Sequence, residues 1–188
     1  MLAPDFPLHT SRLLLRPYTP ADLDFLHQLE SNPELLRYVS WLPRDIEQVR
    51  ASLAEKTQQT SLRHDGDDLT LLMLLATTGE RVGDVQLTWA STEHRQGEIG
   101  FITHPDHTGR GYATEAAHLM LRLGFDDLGL HRISASLDAR NTASARVAQR
   151  LGMTQEAHLH ENTFRKGEWT DEAIYAVLAD QWRGPHQA

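Results

Sequence analysis

Apolar and polar positions along the chain follow two different periods, and each change of period marks a new element. The run "RLLLRP" reads as a first strand, and "TPADLDFLHQL" as a helix with Thr19 at its N-cap and Pro20 in its first turn. "NPELLRYV" restarts a short helix, and "PRDIEQVRASLAEKTQQ" a longer one with Ile46, Val49 and Leu53 on one side. "DLTLLMLLATT" is almost wholly apolar, as a strand covered on both faces must be. After the turn "TTGER", Val85, Leu87 and Trp89 alternate with Asp84, Gln86 and Thr88, giving a strand with one dry and one polar face. "QGEIGFIT" pairs with it as an antiparallel neighbour. Ala113, Ala116, Ala117, Met120 and Gly124 then form a small-residue helical stripe able to lie close to a sheet. "HRISASLD" is a strand, "NTASARVAQRLG" a helix, and "TQEAHLHENTF" with "EWTDEAIYAVLA" a long hairpin around "RKG". The sum is an α+β or α/β domain with a mixed sheet.

Composition narrows this picture. The 188 residues, 40% of them hydrophobic, suffice for one domain spanning residues 1–188 without covalent staples. The absence of cysteine excludes disulfides, a thiolate nucleophile and cysteine-ligated zinc. "MLAPDFPLHTSR" has neither a basic start nor a long apolar run, and nowhere do 18 apolar residues follow one another, so a cytoplasmic protein without a membrane partner is expected. A net charge of -8, from 26 acidic and 18 basic residues, argues against nucleic acid and suits a cationic substrate.

Chemistry enters at "HTGRGYAT", where two glycines flank an arginine between a strand and a helix. Gly109 and Gly111 permit unusual dihedrals and close approach, and the N–H groups of a helix start attract anions. Glycines alone are equally explained by a tight turn. A triphosphate loop needs Gly-Lys-Ser/Thr, which is missing, and a dinucleotide fingerprint needs glycine or alanine where Thr114 stands.

The segment resembles the GNAT superfamily of acyl-CoA-dependent N-acetyltransferases, which carries Gln/Arg-x-x-Gly-x-Gly/Ala at this junction. Thr108 replaces the usual Gln or Arg here. "GEIGFITHP" and "LGLHRISASLDARNTASARVAQRLGM" extend the likeness, and Asn141-x-x-Ser144 followed by Leu151-Gly152-Met153 resembles the RimJ/RimL-like branch, which acetylates ribosomal protein amino termini. The opening "TSRLLLRPYTPADLDFL" and the closing hairpin are similar to that branch too. The resemblance implies a GNAT fold: a mostly antiparallel, twisted, seven-stranded sheet flanked by helices and splayed between its fourth and fifth strands. It implies acetyl-CoA as cosubstrate, its pyrophosphate on the backbone of Thr108, Gly109, Arg110, Gly111, Tyr112, Ala113 and Thr114. Phe101, Ile102 and Thr103 offer main-chain groups to the pantetheine arm. Asn141 and Ser144 approach the arm as well, although Asn141 has a plain alternative as N-cap with Ser144 in reciprocal contact. The branch leaves room for a homodimer.

Transfer to an amine by direct attack needs a neutral nucleophile, charge stabilisation and a proton for the thiolate. A main-chain N–H near Ile102 is the expected donor to the developing charge. Many members place a tyrosine acid where Ala148 stands, so the resemblance leaves Ser144 as its replacement. Glu98 and Glu161 are the candidate bases, with Asp84 behind them, and each has a solvated-surface alternative. Glu115, in a first helical turn, suits the helix dipole. The pairs His104-x-x-His107 and His158-x-His160 would bind metal only if they converged, and no metal is expected. The substrate is then a primary amine, with a peptide or protein amino terminus, ribosomal proteins included, ahead of polyamines, amino acids and aminoglycosides. An α-amine, with a pKa of about 8, demands less of a base than lysine. The competing class is a noncatalytic acyl-CoA-binding sensor.

Overall fold

A computed structural model describes residues 1–182. Eight strands form one sheet in the order β1-β2-β3-β4-β5-β6-β8-β7: β1 Leu8–His9, β2 Leu13–Arg16, β3 Asp68–Leu75, β4 Arg81–Ser91, β5 Gln96–Thr103, β6 Arg132–Asp138, β7 Thr154–Arg165 and β8 Glu168–Leu178. Four α-helices accompany them among the described residues: α1 Leu23–Glu30, α2 Ile46–Lys56, α3 Tyr112–Arg122 and α4 Thr142–Arg150. All neighbours are antiparallel except β5 and β6. The expected mixed, splayed architecture is present. Its eighth strand is β1, two residues long, held by pairing with Leu14 and Leu15, too short to leave a period in the sequence.

The sheet divides two cores. On one face, Leu13, Leu71, Met73, Val85, Leu87 and Ile133 pack against the buried Ala116, Ala117 and Met120 of α3. Small residues matter here: a Cβ placed on Gly124, in the turn that continues α3, would come within 2.6 Å of Ile133 Cδ1. On the other face, Phe25, Leu26 and Leu29 of α1 and Val49 and Leu53 of α2 pack on Leu72 and Leu74. Ile46, expected beside Val49 and Leu53, is instead exposed, because it occupies the first turn of α2 above the core. The segment "NPELLRYV" forms only a 3-10 turn, Leu35–Tyr38.

One buried charge ties the second layer to the sheet. Asp22, fully shielded, accepts from Arg16 Nη1 and Nη2 at 2.8 and 2.9 Å, from Arg81 Nε at 2.8 Å, and from the Thr19 N–H and hydroxyl. These bonds hold its carboxyl far below the usual carboxylate range against the opposing effect of burial. Arg16 ends β2 and Arg81 begins β4, so the start of α1 is fastened at two points.

Candidate active site

The glycine loop is built for close approach. After the 3-10 turn Pro105–His107, Gly109 and Gly111 have φ of +74° and +81°, the left-handed region that side chains disfavour. Gly111 is the N-cap of α3, so the first N–H groups of that helix open onto the loop. A Cβ on Gly109 would meet nothing within 4 Å, and one on Gly111 only Arg12 Nη2 at 3.5 Å. Thr114 Oγ1, in the first turn of α3, is buried without a partner among the described residues. Open space, free amides and an orphaned hydroxyl fit a pyrophosphate. Thr108 spends its hydroxyl on the Pro105 carbonyl, at 2.9 Å, closing the preceding turn.

Support for the loop comes from the far end of the chain. Glu115 accepts from Thr10 Oγ1 at 2.6 Å, Ser11 Oγ at 2.9 Å, and Arg12 N and Nε at 2.8 and 2.6 Å. Arg12 in turn donates to the Arg110 carbonyl at 3.0 Å and lies over the Tyr112 ring. Glu115 is therefore a clamp as well as a dipole partner, and Arg12 is a supporting residue for which no local motif gave a signal.

Beside the loop the sheet forks. β5 pairs with β4 along its length but with β6 only at Gln96, Glu98 and the residue between them, so beyond Glu98 its β6-side edge has no strand partner among the described residues. A cleft of about 650 Å³ opens there, roofed by α1, α2 and the segment around Tyr38 and Trp41. Phe101, Ile102, Asn141, Ser144 and Glu98 line it. Thr103 lies outside the lining and pairs with Gly83. Asp84 and Gln86 of β4 and Gly100 of β5 also line it, so that part of the polar face of β4 forms the cleft floor. A Cβ on Gly83 would stand 2.1 Å from the Ile102 carbonyl oxygen, so only glycine lets β4 come this close to that part of β5.

The catalytic candidates separate. Glu98, at the fork, is open to the cleft; enclosure by its walls pushes the carboxyl above the usual carboxylate range, a hydrogen bond from Ser136 draws it partly back, and Glu172 and Asp68 add to the rise. Glu161 is exposed in a hairpin bulge at φ +46°, outside the lining of the cleft, with its N–H on Asp171. Asp84 is buried, not solvated, and accepts from Tyr18 Oη at 2.8 Å and Lys56 Nζ at 3.0 Å. Burial and Asp84 together push the Tyr18 phenol well above its usual range. Asn141 caps α4 through Oδ1, which accepts from Ser144 N at 3.0 Å. The reciprocal half of that contact is not formed: Asn141 N donates to Asp138 O, and the Ser144 hydroxyl is left to the cleft.

The histidine pairs do not converge. His107 is buried, its Nε2 3.2 Å from Glu80, while His158 and His160 both hold Asp171 on the hairpin. Among the described residues there is no group of three that could hold a metal, and no helix long and apolar enough to cross a membrane.

Comparison with known proteins agrees with this geometry. Residues 12–154 match the family model described as an acetyltransferase (GNAT) domain. Uncharacterized N-acetyltransferase p20 of Bacillus licheniformis is 29% identical over 94% of this chain and 98% of its own length. A GNAT-family acetyltransferase structure from Bacillus anthracis superimposes with a TM-score of 0.83 at 27% identity, over 93% of this chain and 99% of that one. Spermidine N-acetyltransferase from Vibrio cholerae, solved with CoA and spermine, gives 0.78 at 26% identity, over 92% and 98%.

Proposed function

Because this chain belongs to the GNAT acetyltransferase family, we propose that its forked cleft transfers acetyl to the α-amine of a peptide or protein, as in the RimJ/RimL-like branch. The protein is an acetyl-CoA-dependent N-acetyltransferase. The noncatalytic alternative gives way to that. Bound acetyl-CoA supplies the activated acetyl thioester. The chain does the rest. The amides of Gly109 to Thr114 hold the pyrophosphate, with the α3 dipole favouring its charge. The unpaired edge of β5 from Phe101 onward takes the pantetheine arm as an added strand, and a main-chain N–H near Ile102 meets the charge that develops on the acetyl oxygen.

Glu98 carries the proton chemistry. An ordinary carboxylate is a poor base for an ammonium, but one raised by enclosure is better matched to the task. The Ser144 hydroxyl, free of any partner among the described residues, donates toward the departing sulfur; at Ala148 there is no phenol to do so. The observation that carries the reading is the meeting of Glu98, Ser144 and the open edge of β5 in one cleft.

A polyamine substrate is the second reading. It is supported by the spermidine-acetylating relative and by a cleft whose lining holds Glu30, Glu55, Asp84, Glu98, Asp138 and Glu172 against three cationic side chains. Release of free thiol from acetyl-CoA by the purified protein, measured across peptides, amino acids and polyamines, tests both readings. No release with any amine would overturn the proposal, and a preference for spermidine over every peptide would replace it with the second reading.

A further inference from the structure

Two buried donors in the cleft wall find no partner among the described residues. The indole Nε1 of Trp41 and the guanidinium Nε of Arg165 are both shielded from solvent and both without a partner among the described residues. Each can only donate. A buried donor left unpaired costs more than a formed bond returns, so such groups are rare unless something outside the chain completes them. Both side chains line the cleft that holds Glu98 and Ser144.

Their position is fixed, so the unmet demand is fixed too. Arg165 donates from Nη1 to the Tyr38 carbonyl at 3.3 Å and brings Nη2 to 3.6 Å from Glu172 Oε1. The next residue, Lys166, donates to the Leu36 carbonyl, which straps the hairpin tip onto the segment bearing Trp41. Arg44 sits 5.5 Å from the Trp41 ring centre and is itself held by Glu30 and Ser52. Elsewhere in the same cleft stand carboxylates with acceptor capacity to spare. Asp84 receives Tyr18 and Lys56 on Oδ2 with no donor to Oδ1 among the described residues, and Glu98, though it accepts from Ser136, still opens to the cleft. The cleft therefore offers acceptors on its floor and donors in its wall.

We propose that Trp41 and Arg165 form a subsite that reads the carbonyl oxygen next to the substrate's amine, making them specificity-determining residues. An α-amino carbonyl compound satisfies both sides at once: its ammonium faces the carboxylates and its oxygen accepts from the wall. A polyamine carries donors at every nitrogen and gives the wall nothing. The inference rests on the reading of the cleft as the acetyl-transfer site. Sites built to bond a substrate polar group reject analogues lacking it far more strongly than apolar pockets reject a missing methylene.

The test compares a dipeptide amide with isopropylamine and spermidine as substrates of the full chain, in the wild type, Trp41→Phe and Arg165→Lys. Trp41→Phe keeps an aromatic ring and removes only the N–H. It should lower kcat/KM for the dipeptide amide about tenfold, mostly through KM, and leave isopropylamine unchanged. Arg165→Lys, which keeps the charge and loses Nε, should act in the same direction. Equal losses for all amines, or no loss for any, overturn the oxygen-reading subsite while acetyl transfer stands. A wild type that prefers spermidine overturns it as well. Failure to acetylate any amine overturns the subsite and the transfer site together.

Discussion

Replacing Asp22 by asparagine isolates the buried charge that fastens α1 to the sheet. The two side chains have the same shape, but one oxygen becomes an NH2. On the Oδ1 side it would face Arg16 Nη2 and Arg81 Nε; on the Oδ2 side, Arg16 Nη1 and both donors of Thr19. Either orientation sets a donor against at least two donors. Breaking a buried pair in this way costs about 3 to 5 kcal/mol. Arg16 and Arg81 keep 26% and 36% of their side-chain surface, so water can take up part of what they lose, which points to the lower end, about 3 kcal/mol. For a domain of this size that is a fall in Tm of roughly 6 to 12 °C. The pH dependence follows from the depressed carboxyl. Its stabilisation is fully present above the unfolded-state value of about 4 and fades as pH falls toward the lower folded-state value, as the carboxylate takes up a proton. Urea unfolding of both proteins at pH 7 and pH 3 measures this. A difference below about 1 kcal/mol at pH 7, or one that does not shrink at pH 3, would refute the reasoning.

Three further outcomes are expected at the site itself. Glu98→Gln should reduce kcat/KM by about 10² to 10⁴-fold and remove an acidic limb that lies above the ordinary carboxylate range; since the base works deprotonated, wild-type activity must rise with pH through that limb, and an unchanged profile would move the base elsewhere. Gly83→Ala should destabilise by about 3 kcal/mol or more, because its Cβ would overlap the Ile102 carbonyl, and a melting curve like the wild type's would show that β4 can shift at no cost. Gly111→Asp should abolish coenzyme A binding by calorimetry, through a carboxylate facing the pyrophosphate and a side chain at φ +81°, and unchanged affinity would remove the loop from the site.

Much of this was legible in the sequence where local chemistry dictates structure. Asn141 caps α4 because a side-chain oxygen three residues before an N–H does so anywhere, and Gly109 and Gly111 mark a left-handed loop for the same kind of reason. The alternation of Asp84, Gln86 and Thr88 correctly separated two faces of β4. It could not say what covers the polar one, since burial of Asp84 depends on Tyr18 and Lys56, brought in by distant segments. Glu115 illustrates the same limit: its partners Thr10, Ser11 and Arg12 lie more than a hundred positions away, and no spacing rule connects them. Trp41 and Arg165 carried no signal either, because an orphaned donor is defined only by what fails to surround it.

The fork between β5 and β6 is a place where a ladder of backbone bonds stops early. Amide protons in such a gap are exchangeable with solvent water on their own account, without any unfolding of the sheet around them. The N–H groups of Ile99 to Thr103 that point away from β4 should therefore exchange their hydrogens quickly while those pairing with β4 exchange slowly, within a single strand. A coenzyme lying along the open edge would even out that difference, so the exchange pattern of this one strand records whether the site is filled.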